Sequence, residues 1–206
     1  LNITNIIKAN GFDSTLGKFT KKTWFRYISN KIVHIKLNKN SSILEYGCGA
    51  GAFLSFFYKK KFNLYGIDYS ENLIQKAKKI YPKIKFKIGD FKQLRHFKTK
   101  FDTIFSNSVF QYFNNLEYAN LVLLKMLSKL KPKGQVMILD IPDKDKEKKF
   151  KKHLIKTLGK KNYLKKYIKT NHLFYKKSFF IKIAKKNKLK IKIFDQNIKT
   201  YNNSKY

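Results

Sequence analysis

The chain has 206 residues, a formal charge of +35 and 43% hydrophobic residues, apolar content that suits one packed α/β domain. No apolar run reaches the roughly 18–20 residues needed to cross a bilayer, and the first 37 residues, interrupted by Lys, Asn and Asp, hold no signal-peptide core. Cys48 is the sole cysteine, which excludes an internal disulfide and a cysteine-based metal site, and a cytoplasmic protein is expected.

Residues 1–40 read as a helical lead-in, with apolar positions recurring every three to four residues from Trp24 through Ile28, Ile32, Ile35 and Leu37. Residues 41–142 alternate strand and helix. Strands are expected at 43–46, 63–67, 84–88, 102–105 and 135–141, and helices at 51–61, 71–80 and 116–130. Ser70 is placed to cap the second of these helices, and Lys131-Pro132-Lys133-Gly134 to stop the third. Residues 143–176 break the rhythm with a charged run and read as a helical cap inserted after strand five. A helix at 178–188 and a strand at 189–195 complete the segment 177–206. The alternation predicts an α/β fold with a doubly wound, mostly parallel sheet in a single domain.

The first strand ends at Glu45-Tyr46 and turns through Gly47-Cys48-Gly49-Ala50-Gly51. Glycine permits positive φ and lets a ligand lie against the main chain. At the carboxyl end of a parallel strand such a turn floors a nucleotide-sized crevice. Gly47, Gly49 and Ala52 also satisfy the dinucleotide pattern G-x-G-x-x-A, and Asp68 at the end of strand two suits any ribose diol. Three features separate the two ligand types. Glu45 faces the turn, which disfavours a pyrophosphate and suits a sulfonium with an ammonium group. Asp90, in Gly89-Asp90-Phe91, can accept an adenine amine while Phe91 or Ile88 flanks the ring. The fourth strand runs into Ser106-Asn107-Ser108 and then into aromatics over the crevice.

In these motifs, together with Leu130-Lys131-Pro132-Lys133-Gly134-Gln135, the chain resembles the class I S-adenosylmethionine-dependent methyltransferases from residue 43 to about 141. The resemblance implies a Rossmann-like methyltransferase fold with S-adenosylmethionine as cofactor and S-adenosylhomocysteine as product. It implies that Glu45, Gly47, Cys48, Gly49 and Ala50 line the methionine part of the cofactor. It further implies that Asp68 holds the ribose, Tyr69 lies beside the adenine, Asp90 and Phe91 take its edge and face, and Ser106 and Asn107 lie near the transferred methyl. Cys48 reads as a small turn residue and Phe53 as core.

The acceptor is less legible. Small-molecule members of the family often place a histidine after the fourth strand, where this chain has Gln111-Tyr112. These two can orient an acceptor but cannot take its proton near neutral pH. His153 and His172 in the insertion are the base candidates, whereas His34, on an apolar helix face, and His96 read as structural. Of the 47 basic residues 45 are lysine, spread along the whole chain, and an A/T-rich codon bias explains them better than a nucleic-acid footprint. No D/N-P-P-Y or Pro-Cys motif follows strand four. The expected activity is methyl transfer to a small anionic or sugar-like acceptor, more readily at oxygen, with no membrane span. An RNA methyltransferase using the basic surface and a non-catalytic methyltransferase-like binding module are the alternatives.

Overall fold

The computed structural model describes residues 2–12, 19–167, 172–198 and 201. Five strands, β1 Ser42–Tyr46, β2 Asn63–Asp68, β3 Lys85–Ile88, β4 Phe101–Asn107 and β5 Leu130–Leu139, form one sheet in the order β3-β2-β1-β4-β5. Every pairing is parallel, and β1 at the centre aligns Glu45 with Gly66 on one side and with Phe105 on the other. Parallel strands need crossovers, and these cover both faces of the sheet. α1 Ile3–Ala9, α2 Lys21–Lys31 and α3 Glu71–Ile80 bury Ile7, Trp24, Ile28 and Ile74 with Ile43 and Phe105. α4 Leu116–Ser128 and α7 Lys177–Lys186 bury Val122, Met126 and Ile183 with Leu44 and Ile104. The sheet is thus doubly wound, as its alternating pattern predicts.

The insertion contains α5 Glu147–Leu158 and α6 Lys160–Tyr167, separated by Gly159 at φ 76°. It is tied back by an isolated bridge between Asp143 and Tyr175, and the Tyr175 hydroxyl donates to the Phe110 carbonyl at 2.7 Å. Residues 1 and 13–18 of the lead-in, 168–171 of the insertion, and 199–200 and 202–206 of the terminal segment lie outside the described residues.

Four expectations change. Residues 51–61 form turns around a short 3₁₀ segment, Leu54–Phe56, instead of an α-helix. The Ala52 carbonyl that an α-helix would offer to residue 56 is taken by Trp24 Nε1 at 2.8 Å and Ser55 Oγ at 2.6 Å, and Phe56 bonds to Phe53 instead. The lead-in helix α2 ends at Lys31, which leaves His34 in the turn beyond it, stacked on Phe194 at 4.1 Å. Lys131-Pro132-Lys133-Gly134 does not precede β5 but lies within it. Phe101 pairs with Leu130 and Thr103 with Gln135, so the intervening residues bulge out, as proline without an N–H requires. Residues 189–195 form no strand. The apolar-polar alternation of Leu189, Ile191 and Ile193 remains, yet among the described residues the segment pairs with no strand and β5 forms that end of the sheet.

Among the described residues no helix is long and apolar enough to cross a membrane.

Candidate active site

Gly47, Gly49 and Gly51 take φ of 74°, 52° and 83°, which directs the chain out of β1 as a tight turn. Asp68, at the end of the neighbouring strand, steadies it. One carboxylate oxygen accepts from Gly49 N–H at 2.8 Å, and the other accepts from Ser70 N–H at 2.9 Å. Each oxygen keeps a second lone pair. Asn10, just after α1, spans the turn from the other side: its Nδ2 donates to the Cys48 carbonyl at 3.0 Å and its Oδ1 accepts from Ala50 N–H at 2.8 Å. A Cβ on Gly49 would come within 2.8 Å of the Asn10 side chain, and one on Gly47 within 2.4 Å of Val109, so neither position admits a larger residue without displacement.

Glu45 is 1% exposed, and its Oε2 has no hydrogen-bond partner among the described residues. Burial, with Asp68 nearby, pushes its carboxyl well above the ordinary carboxylate range, against a backbone hydrogen bond from Leu54. Ser106 Oγ and Asn107 Oδ1, at the carboxyl end of the adjacent β4, are likewise buried without partners among the described residues. Unpaired buried polar atoms are costly and native proteins keep few of them. Three of them at the carboxyl ends of neighbouring strands mark a place that receives a polar ligand, and Glu45 favours a cationic one. Burial, reinforced by Glu45 and Asp68, pushes the Cys48 thiol well above its ordinary value, and Sγ contacts the Gly49 carbonyl at 3.7 Å. A thiol kept protonated is no nucleophile, which agrees with a turn residue.

On the β3 side, Asp90 caps the 3₁₀ segment Phe91–His96 by accepting from Lys92 N–H at 2.7 Å. Phe91 is half-buried and packs edge-on against Tyr118 at 5.2 Å. Tyr69 is 84% exposed beside Asp68, and Ile88 is 40% exposed at the end of β3. The strip from Asp68 to Phe91 is therefore open, polar at its base and apolar at its rim.

Residues 37–197 match a family described as a methyltransferase domain. The chain belongs to that family. Its members use S-adenosylmethionine, whose ammonium and sulfonium suit the buried Glu45 carboxylate and whose ribose and adenine suit the Asp68–Phe91 strip. The chain is 30% identical over 121 residues to malonyl-[acyl-carrier protein] O-methyltransferase of Priestia megaterium, covering 57% of this chain and 43% of that protein. It is 29% identical over 164 residues to ubiquinone biosynthesis O-methyltransferase of Pelagibacter ubique, covering 76% and 65% of the two chains. The match thus spans less than half of the first relative and less than two thirds of the second. The plantazolicin methyltransferase BpumL in complex with SAH superposes with a TM-score of 0.61 at 24% identity, covering 81% of this chain and 62% of that one, and shares the fold.

The acceptor-side residues are divided. A cavity of about 1100 Å³ runs along the free edge of β5 to the carboxyl edge of the sheet, and Gln111 and His172 line it there. Tyr112 is 60% exposed and meets the His172 ring edge-on at 5.2 Å. His153 lies on α5, outside that lining. His96 Nε2 accepts from Arg95 Nε at 3.2 Å on the surface.

Asn10, Lys31, Tyr27, Asp140 and Tyr201 make candidate-site contacts that have no counterpart among the residues picked out from the sequence. Asp140 follows β5 and accepts from Ser108 Oγ, from the Tyr201 hydroxyl at 2.7 Å and from Gln196 Nε2 at 3.3 Å. A lone Asn after a helix, or a Lys among 45, carries no local signal of such contacts. Asp140 had one: it ends an apolar strand, as Asp68 does.

Proposed function

We propose that this methyltransferase transfers the methyl group of S-adenosylmethionine to a small acceptor at an oxygen atom, the acceptor being anionic or sugar-like. The observation that carries this reading is the set of unpaired buried atoms, Glu45 Oε2, Ser106 Oγ and Asn107 Oδ1, beside a turn of three positive-φ glycines. Bound there, the cofactor would supply a methyl already activated by a sulfonium. Glu45, Gly47, Cys48, Gly49 and Ala50 would hold its methionine part, Asp68 its ribose, and Asp90, Phe91 and Tyr69 its adenine. Ser106 and Asn107 would stand near the methyl. The protein's remaining task is alignment, with reacting atoms about 3–3.5 Å apart. An anionic oxygen has an available lone pair and needs no general base, in keeping with Gln111 and Tyr112 after β4. An alcohol would need one, for which His172 in the cavity lining is better placed than His153. The O-methyltransferase names of the two curated relatives support oxygen.

The net charge of +35 favours RNA as the second reading. The test is incubation with radiolabelled S-adenosylmethionine and separate pools of organic acids, phenols, sugars and bulk RNA. Label in an acid, phenol or sugar is the expected result. Label confined to RNA would replace the first reading with the second, and absence of S-adenosylhomocysteine binding by calorimetry would overturn both.

A further inference from the structure

Lys31, the last residue of α2, ends in the interior at 7% exposure. An ammonium carries three donors, and Nζ uses none of them in a hydrogen bond among the described residues. It lies 4.7 Å from the centre of the Tyr27 ring and 5.8 Å from that of Tyr201, two faces that attract a cation. Asp140 Oδ1 stands 4.0 Å away, beyond hydrogen-bond reach.

The carboxylate that could have closed on the ammonium is committed elsewhere. Asp140 takes its hydrogen bonds from Ser108, Tyr201 and Gln196. Ser108 and Asp140 both adopt left-handed backbone, φ 57° and 60°, immediately after β4 and β5. Non-glycine residues in that region are strained, and such strain collects where a site is being shaped. The hydrogen bond between them ties the carboxyl ends of the two strands together and holds Asp140 short of the lysine.

The result is a buried cation with a neutralising charge nearby and its donors unspent. A buried charge without hydrogen bonds is unfavourable unless something else fulfils it. Lys31, Asp140, Tyr201 and Gln111 all line the cavity of about 1100 Å³ at the carboxyl edge of the sheet. Asp140 directly follows β5, which places the lysine at the carboxyl ends of the strands, and Gln111 Oε1 and Asn107 Oδ1, at and just after the end of β4, are buried without a hydrogen-bond partner among the described residues.

We propose that Lys31 is the acceptor-binding cation of this methyltransferase, seating the carboxylate of a small organic acid, with Asp140 holding the ammonium in place without consuming it. This rests on the small-acceptor reading above and narrows it to acids. Burial lowers the Lys31 ammonium to about 8, with the Asp140 charge opposing that shift. Tyr27, also facing Asp140, is raised by burial and stays protonated. Acid binding therefore weakens as pH rises through and beyond about 8, when the lysine loses its proton.

The test is calorimetric titration of the whole chain, saturated with S-adenosylhomocysteine, with benzoate and with its neutral analogue benzamide as probes. Wild type is expected to bind benzoate at least tenfold more tightly than benzamide at pH 7, and to lose that preference by pH 9.5. Lys31→Met is expected to abolish the preference while S-adenosylhomocysteine affinity stays within twofold. Asp140→Asn, which removes the charge that supports the ammonium against burial, is expected to move the loss of the benzoate preference to lower pH while S-adenosylhomocysteine affinity stays within twofold, and it provides the test should Lys31→Met not fold. A Lys31→Met protein that still prefers benzoate, an Asp140→Asn protein that loses the preference at the same pH as wild type, or a wild type that binds the two probes alike overturns the proposal. In each of these cases binding of S-adenosylhomocysteine and label transfer to a non-acidic small acceptor would leave the broader reading standing. Failure of wild type to bind S-adenosylhomocysteine overturns both.

Discussion

Asp68 steadies the turn and still has room for a ligand, because its two oxygens accept from Gly49 and Ser70 while keeping capacity for further donors. Asp68→Ala should weaken S-adenosylhomocysteine binding by roughly 1.5–3 kcal/mol, the scale of a hydrogen bond to a charged group. Calorimetry checks this, and wild-type affinity in the variant would place the ribose elsewhere. Lys31 contributes a different kind of prediction. Its folded-state value of about 8 lies below the ordinary 10.5, so between those values the unfolded chain binds more protons than the folded one. Stability should therefore rise as pH increases from about 8 towards 9, by up to ~1.4 kcal/mol per pH unit, above which the buried Cys48 thiol, also raised, opposes the gain. Buried Tyr27 and Tyr175, both raised, reverse the trend at higher pH, because the folded chain then holds the extra protons. Urea unfolding across this range should show the rise in wild type and none in Lys31→Met.

The elements depend on caps and crossovers more than on intrinsic preference. Asn115 accepts from Tyr118 N–H at 2.8 Å at the start of α4, which carries Val122, Leu123 and Met126 into the core. Asn115→Ala should cost about 0.5–2 kcal/mol in chemical unfolding, the range for loss of such a cap. α3 is readable to the residue, since Ser70, Glu71 and the spacing of Ile74 and Ala77 all act within one turn of the chain. The parallel sheet is readable for a similar reason: runs such as Leu64–Ile67 hold no charged residue because helices cover both faces. The helix expected at 51–61 fails because a side chain 28 residues earlier, Trp24, takes a carbonyl that local pattern assigns to the helix. The strand expected at 189–195 has the right alternation, but a strand is defined by its neighbour and the pattern names none. The candidate site divides along the same line. Glu45, Asp68, Asp90 and the glycines announce themselves by position in a motif, whereas Asn10 acts through contacts 38 and 40 residues along the chain and Lys31 through Asp140, farther still.

Over the whole molecule, 47 basic residues face 12 acidic ones, and few of the ion pairs are buried. Repulsion among the excess lysines opposes compaction and is screened by salt. Raising sodium chloride from about 0.05 to 0.5 M should lift the thermal midpoint by at least ~2–4 °C, the shift of roughly 1 kcal/mol for a chain of this size. A flat midpoint would mean that the lysines are far enough apart to ignore one another. The two halves of the candidate site are also mechanically joined through a single side chain. Trp24, the only tryptophan, donates to Ala52 beside the glycine turn and stacks on Tyr27 at 5.0 Å, whose ring in turn lies against Lys31. Its intrinsic emission should therefore respond to a ligand at the glycine turn and to one at Lys31, and an unlabelled sample titrated with each in turn would show the order in which they arrive.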